Sequence, residues 1–130
     1  MSHSMKEEKD MAKKVLVVDD SPTDLQMLST LLKKQGYEVV TAVDGEDAIA
    51  KATASHPPLV VLDIILPKKN GFQVCRQLKT TPDTSGIKVI LVSSKNQDSD
   101  KFWGMKQGAD DYIGKPYQDE VLLAAIARQL

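Results

Sequence analysis

Short apolar runs that end in acidic residues are the feature that most narrows the possible folds of this chain. Residues 15–18 read Val-Leu-Val-Val and are followed by Asp19 and Asp20, and residues 59–62 read Leu-Val-Val-Leu and are followed by Asp63. A continuous apolar run of this length indicates a strand that is covered on both of its faces. Because such strands are typical of parallel sheets, the sequence predicts a parallel sheet with acidic residues at the ends of two strands.

Apolar residues at helical spacing alternate with these strand-like runs along the chain. Ser21 and Pro22 indicate the start of a helix, as an N-cap and a first helical position, and Gly36 indicates its end. We predict strands over residues 15–18, 38–42, 59–62, 88–92 and 112–114, and helices over residues 22–35, 44–54, 71–79, 99–107 and 119–130. This alternation predicts an α/β fold, with a five-stranded parallel sheet and helices on both of its faces.

Length and charge limit the class of protein. A chain of 130 residues that is 42% hydrophobic can bury one core. Its 17 Lys and Arg residues against 18 Asp and Glu residues leave a net charge of −1, so nothing overall attracts it to nucleic acid or an anionic membrane. No signal peptide is visible, and no apolar run approaches the roughly 20 residues of a membrane span. We therefore expect a cytoplasmic protein without nucleic-acid binding or membrane insertion.

The expected domain organisation is simple. Residues 1–13 are mostly polar and lack apolar periodicity, so we expect a flexible N-terminal arm of native or partly tag-derived origin. Residues 14–130 are expected to form one folded domain, with no output domain. Cys75 is the only cysteine, which excludes an intrachain disulfide, and its apolar surroundings in sequence predict a small buried side chain.

Side chains that carry chemistry follow four of the predicted strands. Asp19 and Asp20 follow the first strand, Asp63 the third, Ser93 the fourth and Lys115 the fifth. Open α/β sheets bind ligands outside the carboxyl ends of their strands, so these side chains are expected to meet. Each pair of carboxylates about 5 Å apart would repel by roughly 3 kcal/mol, which a divalent cation relieves. Oxygen ligands favour Mg²⁺, and the absence of His and Cys at these strand ends argues against zinc.

The same set of side chains predicts a socket for a phosphoryl group. Lys115 would supply a positive charge and Ser93 a hydrogen bond, with an Asp as the acceptor. Each part has an ordinary structural alternative: the acidic pair could cap a helix, Asp63 could belong to a turn, and the Lys115–Pro116 step could form a turn with or without a cis bond. Their joint occurrence at successive strand ends favours the phosphoryl site.

Several motifs together resemble the receiver domains of two-component response regulators, which have the CheY-like fold. They are Val-Val-Asp-Asp-Ser at 17–21, Leu-Asp-Ile-Ile-Leu-Pro at 62–67 with Gly71, Ser93-Ser94, and Gly-Ala-Asp-Asp-Tyr at 108–112 with Lys115-Pro116. The resemblance covers residues 14–130. It implies a flavodoxin-like sheet with the strand order 2-1-3-4-5.

The resemblance also implies a role for each site residue. Asp63 would accept a phosphoryl group from a histidine kinase, and Lys115 would contact that group. Mg²⁺, for which Mn²⁺ can substitute, would bind Asp19, Asp20, Asp63 and the backbone carbonyl of Ile65. Ser93 and Tyr112 would act as switch residues that change protein–protein contacts. Ser94 departs from the smaller residues common at its position, and Ile65 and Lys95 occupy positions that tune dephosphorylation in this family.

A narrower resemblance concerns the pathway. Residues 17–23 and 100–109 resemble the stand-alone receivers of twitching-motility and phototaxis systems, the PilH-like type. This implies a role in motility, chemotaxis or phototaxis signalling. The alternative is a phosphate sink or a phosphorelay intermediate for a shared kinase.

The predicted fourth helix carries the residues of a candidate partner surface. Phe102, Met105 and Ala109 are spaced to share one face, which we predict to be its core side. Trp103 lies about 100° around the helix from Phe102 and is therefore expected to be at least half exposed. We predict that Trp103 and Tyr112 belong to an output surface made by the fourth helix, fifth strand and fifth helix, on a protein that is a monomer or a weak dimer.

Other classes of function fit the sequence less well. A phosphatase with an Asp nucleophile would need a second acid two residues later, where this chain has Ile65. A flavodoxin-like cofactor protein would need a phosphate-binding loop after the first strand, where this chain has two acids. A receiver used only for docking would not need the intact site. We therefore predict no enzymatic activity beyond the protein's own phosphorylation and dephosphorylation.

Overall fold

The computed structural model describes residues 13–130, so the arm predicted over residues 1–13 lies, except for Lys13, outside the described residues. The strands of the described part are β1 (Lys14–Val18), β2 (Glu38–Ala42), β3 (Leu59–Asp63), β4 (Lys88–Ser93) and β5 (Asp111–Gly114). The helices are α1 (Pro22–Lys34), α2 (Gly45–Ser55), α3 (Gly71–Thr80), α4 (Asp98–Lys106) and α5 (Asp119–Gln129). The ten predicted elements are confirmed, and their ends differ from the prediction by no more than one residue.

The strands form one parallel sheet in the order β2-β1-β3-β4-β5, which confirms the predicted topology. The register aligns the ends that carry the site. Asp63 pairs with Val92 at the end of β4, and Ser93 pairs with Gly114 at the end of β5. Because all strands point the same way, the residues that follow β1, β3, β4 and β5 emerge at one edge of the sheet.

Side chains alternate along each strand and build a core on each face of the sheet. In β1, Val15 and Val17 face the core that α1 and α5 cover, whereas Leu16 and Val18 face the core that α2 and α3 cover. The first of these cores contains Leu28, Leu32, Leu122, Ala125 and Ile126, and the second contains Ala48, Ala52, Val74, Cys75 and Leu78. The two cores make the strands rigid supports for the residues at their ends.

The predicted core face of helix α4 is wrong. Phe102 is 65% exposed and Met105 is 49% exposed, so neither packs into the core, and only Ala109, beyond the end of the helix, is buried as predicted. Gly104 is the buried residue of α4. A Cβ atom on it would lie 2.9 Å from side-chain atoms of both Leu91 and Tyr112, so the helix approaches the sheet by its backbone.

The close approach at Gly104 explains why the neighbouring side chains point outward. Residues on either side of a helical position lie about 100° away around the axis, so Trp103 and Met105 flank the contact instead of entering it. Trp103 is 54% exposed, which confirms its prediction. In α5, Val121 is half exposed, whereas Leu122, Ala125 and Ile126 form the buried face.

Among residues 13–130, no helix is both long enough and apolar enough to cross a membrane.

Candidate functional site

Lys115 lies between two carboxylates at the carboxyl edge of the sheet. Its Nζ is 3.0 Å from Asp63 Oδ2 and 3.1 Å from Asp19 Oδ2, and it donates a hydrogen bond to each. Both Asp side chains are nearly buried. The structure therefore brings together the residues that the sequence predicted at the ends of the first, third and fifth strands.

The end of β4 positions Lys115 through the backbone. The Lys115 amide donates to the Ser93 carbonyl at 2.9 Å, directly after the pairing of Ser93 with Gly114. The peptide bond between Lys115 and Pro116 is cis. The backbone hydrogen bonds between β4 and β5 thus position the Lys115 ammonium group near the ends of β1 and β3.

Backbone amides hold the other oxygen of each carboxylate. Asp19 Oδ1 accepts from the Ser21 amide at 2.9 Å, and Asp63 Oδ1 accepts from the Ile65 amide at 3.1 Å. Each side chain is therefore fixed by a local turn on one side and by Lys115 on the other. This leaves little rotational freedom to either carboxylate, so their oxygens are preorganised at one place.

The electrostatic balance keeps Lys115 charged. Burial lowers the pKa of Lys115, but the hydrogen bonds and charges of Asp63 and Asp19 outweigh burial and raise the pKa above its usual value. The ammonium is therefore fully protonated at neutral pH. It gives the site a permanent positive charge that faces the two carboxylates.

The predicted metal ligands are only partly assembled. Asp20 follows Asp19 in the chain, but it is exposed. Within residues 13–130, no three His, Cys, Asp or Glu side chains are gathered closely enough to hold a metal ion. The oxygen donors of Asp19 and Asp63 suit Mg²⁺ in kind, and Lys115 now supplies their shared positive charge. The predicted magnesium site adds the side chain of Asp20 and the backbone carbonyl of Ile65 to these donors.

Ser93 and Tyr112, the predicted switch residues, both contact Lys95. Ser93 Oγ accepts from the Lys95 amide at 3.3 Å, and the Tyr112 hydroxyl donates to the Lys95 carbonyl. Burial, followed by the charges of Asp100 and Asp63, raises the pKa of Tyr112 to about 12, so the hydroxyl keeps its proton at neutral pH. In the described residues, neither side chain bonds directly to Asp63; the loop after β4 joins them instead.

A cavity of about 420 Å³ opens beside the two carboxylates, between the sheet edge and helices α1 and α5. Its wall is mainly apolar and includes Met27 and Tyr117. Ser94 and Asp24 also line it, and of these two Asp24 has no role in the site predicted from the sequence. No local sequence signal marks Asp24 as part of the site, because it lies on α1 and contacts Lys115 only through the fold.

Asp24 is a third carboxylate at Lys115. Its Oδ2 lies 3.5 Å from Lys115 Nζ. Its amide donates to the N-cap oxygen of Ser21, which fixes the first turn of α1 against the sheet edge. The ammonium is therefore shared by three carboxylates, two of them nearly buried and one exposed.

The predicted partner surface has one exposed and one partly buried member. Trp103 projects from α4, and Tyr112 lies on β5 with its ring against Gly104. The two residues are therefore neighbours through the α4 backbone. The Tyr112 hydroxyl also contacts Lys95, which lies in the loop that precedes this helix.

Comparisons with known proteins match nearly the whole chain. A family profile described as "Response regulator receiver domain" matches residues 15–127. Protein PilH of Pseudomonas aeruginosa is 46% identical over 113 residues, 87% of this chain and 93% of that protein. Protein PilG of the same organism is 43% identical over 113 residues, 87% of this chain and 84% of that protein. The structure of the Vibrio cholerae chemotaxis protein CheY4 is similar with a TM-score of 0.85 at 32% identity, covering 92% of this chain and 99% of that chain.

Proposed function

The chain belongs to the response regulator receiver domain family, and from that premise we propose that it is a single-domain response regulator whose phosphoacceptor is Asp63. Its membership confirms the resemblance that the sequence motifs indicated. Receiver domains are signalling modules that histidine kinases phosphorylate and that act on protein targets. The match over 93% of PilH supports the single-domain type.

The contact of Lys115 with Asp63 and Asp19 is the observation that carries this proposal. An oxygen of the Asp63 carboxylate attacks the phosphorus of a phosphohistidine, so that an O–P bond forms and the P–N bond breaks. The imidazole leaves and takes up a proton, and Lys115 neutralises charge on a phosphoryl oxygen. The Ser21 amide fixes the Asp19 carboxylate, and Asp19 in turn positions Lys115 beside the reacting carboxylate.

Magnesium is part of the proposal. Asp19, Asp20, Asp63 and the backbone carbonyl of Ile65 would hold it, and Mn²⁺ would substitute. The cation supplies positive charge to the phosphoryl oxygens as the group is transferred. Asp20 is exposed next to the nearly buried Asp19, so it can turn toward the site without displacing a core side chain.

We propose that Lys95 couples the two switch residues, Ser93 and Tyr112. Ser93 and Tyr112 both bond to the backbone of Lys95, so a phosphoryl group that draws the Ser93 hydroxyl toward itself would release or shift this residue. Tyr112 would follow, and its ring lies against Gly104 of α4. Phosphorylation would thereby change the surface that carries Trp103 and Tyr112.

The surface of α4, β5 and α5 is the proposed protein contact. Trp103 supports it as an exposed aromatic side chain on a helix that barely enters the core. Trp103→Ala is expected to weaken target binding by the phosphorylated protein at least tenfold, whereas Val43→Ala, a half-exposed apolar residue outside this surface, should leave it unchanged. Equal binding by Trp103→Ala and the wild type would remove Trp103 from the surface.

The proposed pathway is motility, chemotaxis or phototaxis signalling in the cytoplasm, with no nucleic-acid partner. The similarity to PilH and PilG and to a chemotaxis protein supports it. The alternative, a phosphate sink or phosphorelay intermediate, uses the same chemistry at Asp63. Under this alternative, the chain removes phosphoryl groups from a shared kinase, and its phosphorylation creates no binding to an output target. A pull-down with the phosphorylated protein distinguishes this alternative from an active output.

Phosphorylation by a small donor tests the proposal. The protein is incubated with Mg²⁺ and phosphoramidate, and its intact mass is measured. We expect one added phosphoryl group in the wild type and none in Asp63→Asn. Asp44→Asn is the matched control, because an amide can still cap α2 by accepting from the Asp47 amide. No added mass in the wild type would contradict the proposal, and repeated turnover of a phosphate ester would indicate an enzyme instead.

A further inference from the structure

Asp24 has no role in the proposed phosphorylation, yet it contacts the one cation of the site. Asp63 and Asp19 hold Lys115 Nζ at 3.0 and 3.1 Å, and Asp24 Oδ2 adds a contact at 3.5 Å from the start of α1. The Asp24 side chain is 53% exposed, unlike the other two. It is therefore the carboxylate of this cluster that can move away from Lys115 at the smallest cost in packing.

The positions limit how far Asp24 lies from the reacting carboxylate. Asp24 Oδ2 and Asp63 Oδ2 are 3.5 Å and 3.0 Å from the same nitrogen, so the two oxygens are at most 6.5 Å apart, the sum of these distances. Phosphorylation would add negative charge at Asp63. A second carboxylate at this separation opposes that charge and also competes for the ammonium.

We propose that Asp24 is a positioning residue that holds Lys115 partly away from the phosphoryl group and so weakens the phosphorylated state. This inference rests on the proposed phosphorylation of Asp63. Asp24 acts through Lys115 and does not touch the reacting atoms. Loss of its charge would free Lys115 for the phosphoryl oxygens and would remove a repulsion. The variant should therefore bind a phosphoryl group more tightly than the wild type.

Binding of beryllium trifluoride, a non-covalent mimic of the phosphoryl group, tests this without turnover. The affinity is measured by ¹⁹F NMR in the presence of Mg²⁺ for the wild type and for Asp24→Asn. Coulomb's law at this separation, with the screening of an exposed side chain, corresponds to about three- to tenfold tighter binding by Asp24→Asn. The gain should shrink as salt is added, because the exposed charge is screened.

Two further variants separate the contact from general effects. Asp24→Glu keeps the charge, and its affinity should stay within about twofold of the wild type. Asp119 lines the same cavity but has no ion pair with Lys115 among the described contacts, so Asp119→Asn should change the affinity by less than about twofold. Thermal unfolding of each variant confirms that it is folded.

The possible outcomes separate a failure of the role proposed for Asp24 from a failure of the proposed phosphorylation of Asp63. Unchanged or weaker binding by a folded Asp24→Asn, when the wild type binds the mimic, would overturn the role of Asp24 and leave the proposed function standing. An equal gain in Asp119→Asn would also overturn it, because diffuse charge would then explain the effect. A wild type that binds no mimic in the presence of Mg²⁺ would overturn the proposed function and this inference together.

Discussion

Lys115 Nζ lies 3.0 Å from Asp63 Oδ2, although 52 residues of sequence separate the two. The parallel sheet makes this contact possible, because β3 and β5 end at the same edge and β4 between them bonds to the Lys115 backbone. The pair joins the proposed acceptor carboxylate to the only cation that contacts it in the described residues. The topology of the sheet therefore creates the ion pair on which the proposed chemistry depends.

Replacement of Lys115 should destabilise the fold. Lys115→Ala removes the positive charge that two nearly buried carboxylates share, and we expect a loss of about 2 kcal/mol in the free energy of unfolding at pH 7. Chemical denaturation measures it. Lys88→Ala, which removes an exposed contact of 3.9 Å to Asp110, is the control and should cost less than about 0.5 kcal/mol.

The pH dependence of this loss follows from the direction of the pKa shift. The pKa of Lys115 is raised in the folded state, so its contribution is fully present below the usual lysine pKa and fades only as the pH rises through the folded value. The difference between the wild type and Lys115→Ala should therefore be constant from pH 6 to about 9. A difference that disappears within that range would contradict the assigned ion pair.

Magnesium should stabilise the protein through the acidic cluster. A ligand that binds only the folded state at ten times its dissociation constant adds about 1.4 kcal/mol to the free energy of unfolding, so the melting temperature should rise when Mg²⁺ replaces EDTA. Asp20→Asn should abolish most of this rise, and Asp44→Asn should retain it. The metal assignment fails if Asp20→Asn responds to Mg²⁺ as strongly as the wild type.

The packing of α4 can be tested with a pair of glycine variants. Gly104→Ala would place a Cβ 2.9 Å from Leu91 and Tyr112 atoms, and we expect a loss of about 1–3 kcal/mol in stability despite the better helix propensity of alanine. Gly86→Ala has no atom within 4 Å of the new Cβ and should be neutral or slightly stabilising. Similar stabilities for both variants would argue against the close approach of α4.

The Cys75 thiol should be inert in the folded protein. Burial raises its pKa to about 11, and the charges of Lys79 and Asp110 modify this in opposite directions. At pH 8 only about one thiol in a thousand would be ionised. We expect no reaction with a disulfide reagent in native buffer and complete reaction in guanidinium chloride, measured by absorbance. Native labelling as fast as that of the unfolded chain would show that Cys75 is not buried.

The strands and the main site residues can be predicted from the sequence because their signals are local. A short apolar run such as residues 15–18 favours a strand buried on both faces, and an acid directly after such a strand is expected at the edge of the sheet. The sequence therefore predicts that Asp63 and Lys115 lie at one edge of the sheet. The shared contact of Lys115 with both Asp63 and Asp19 depends on side-chain conformation, so only the structure gives it.

Helix α4 and Asp24 show why the rest could not be predicted. The spacing of Phe102 and Met105 indicates an apolar face, but the close approach of Gly104 to Leu91 and Tyr112 leaves that face outside the core. Helical periodicity identifies a stripe and cannot tell whether the helix backbone lies too near the sheet to admit side chains. Asp24 acts across elements, and no local pattern pairs it with a lysine at the far end of the chain.

Locating the phosphoryl group tests the central claim most directly. After phosphorylation with phosphoramidate and Mg²⁺, reduction with borohydride converts an aspartyl phosphate to homoserine and releases phosphate, and tandem mass spectrometry of the peptides then finds the changed residue. We expect homoserine at position 63 alone, and none when Mg²⁺ is removed. Homoserine at Asp19, Asp20 or Asp24, or at no position, would contradict the assignment of Asp63 as the phosphoacceptor.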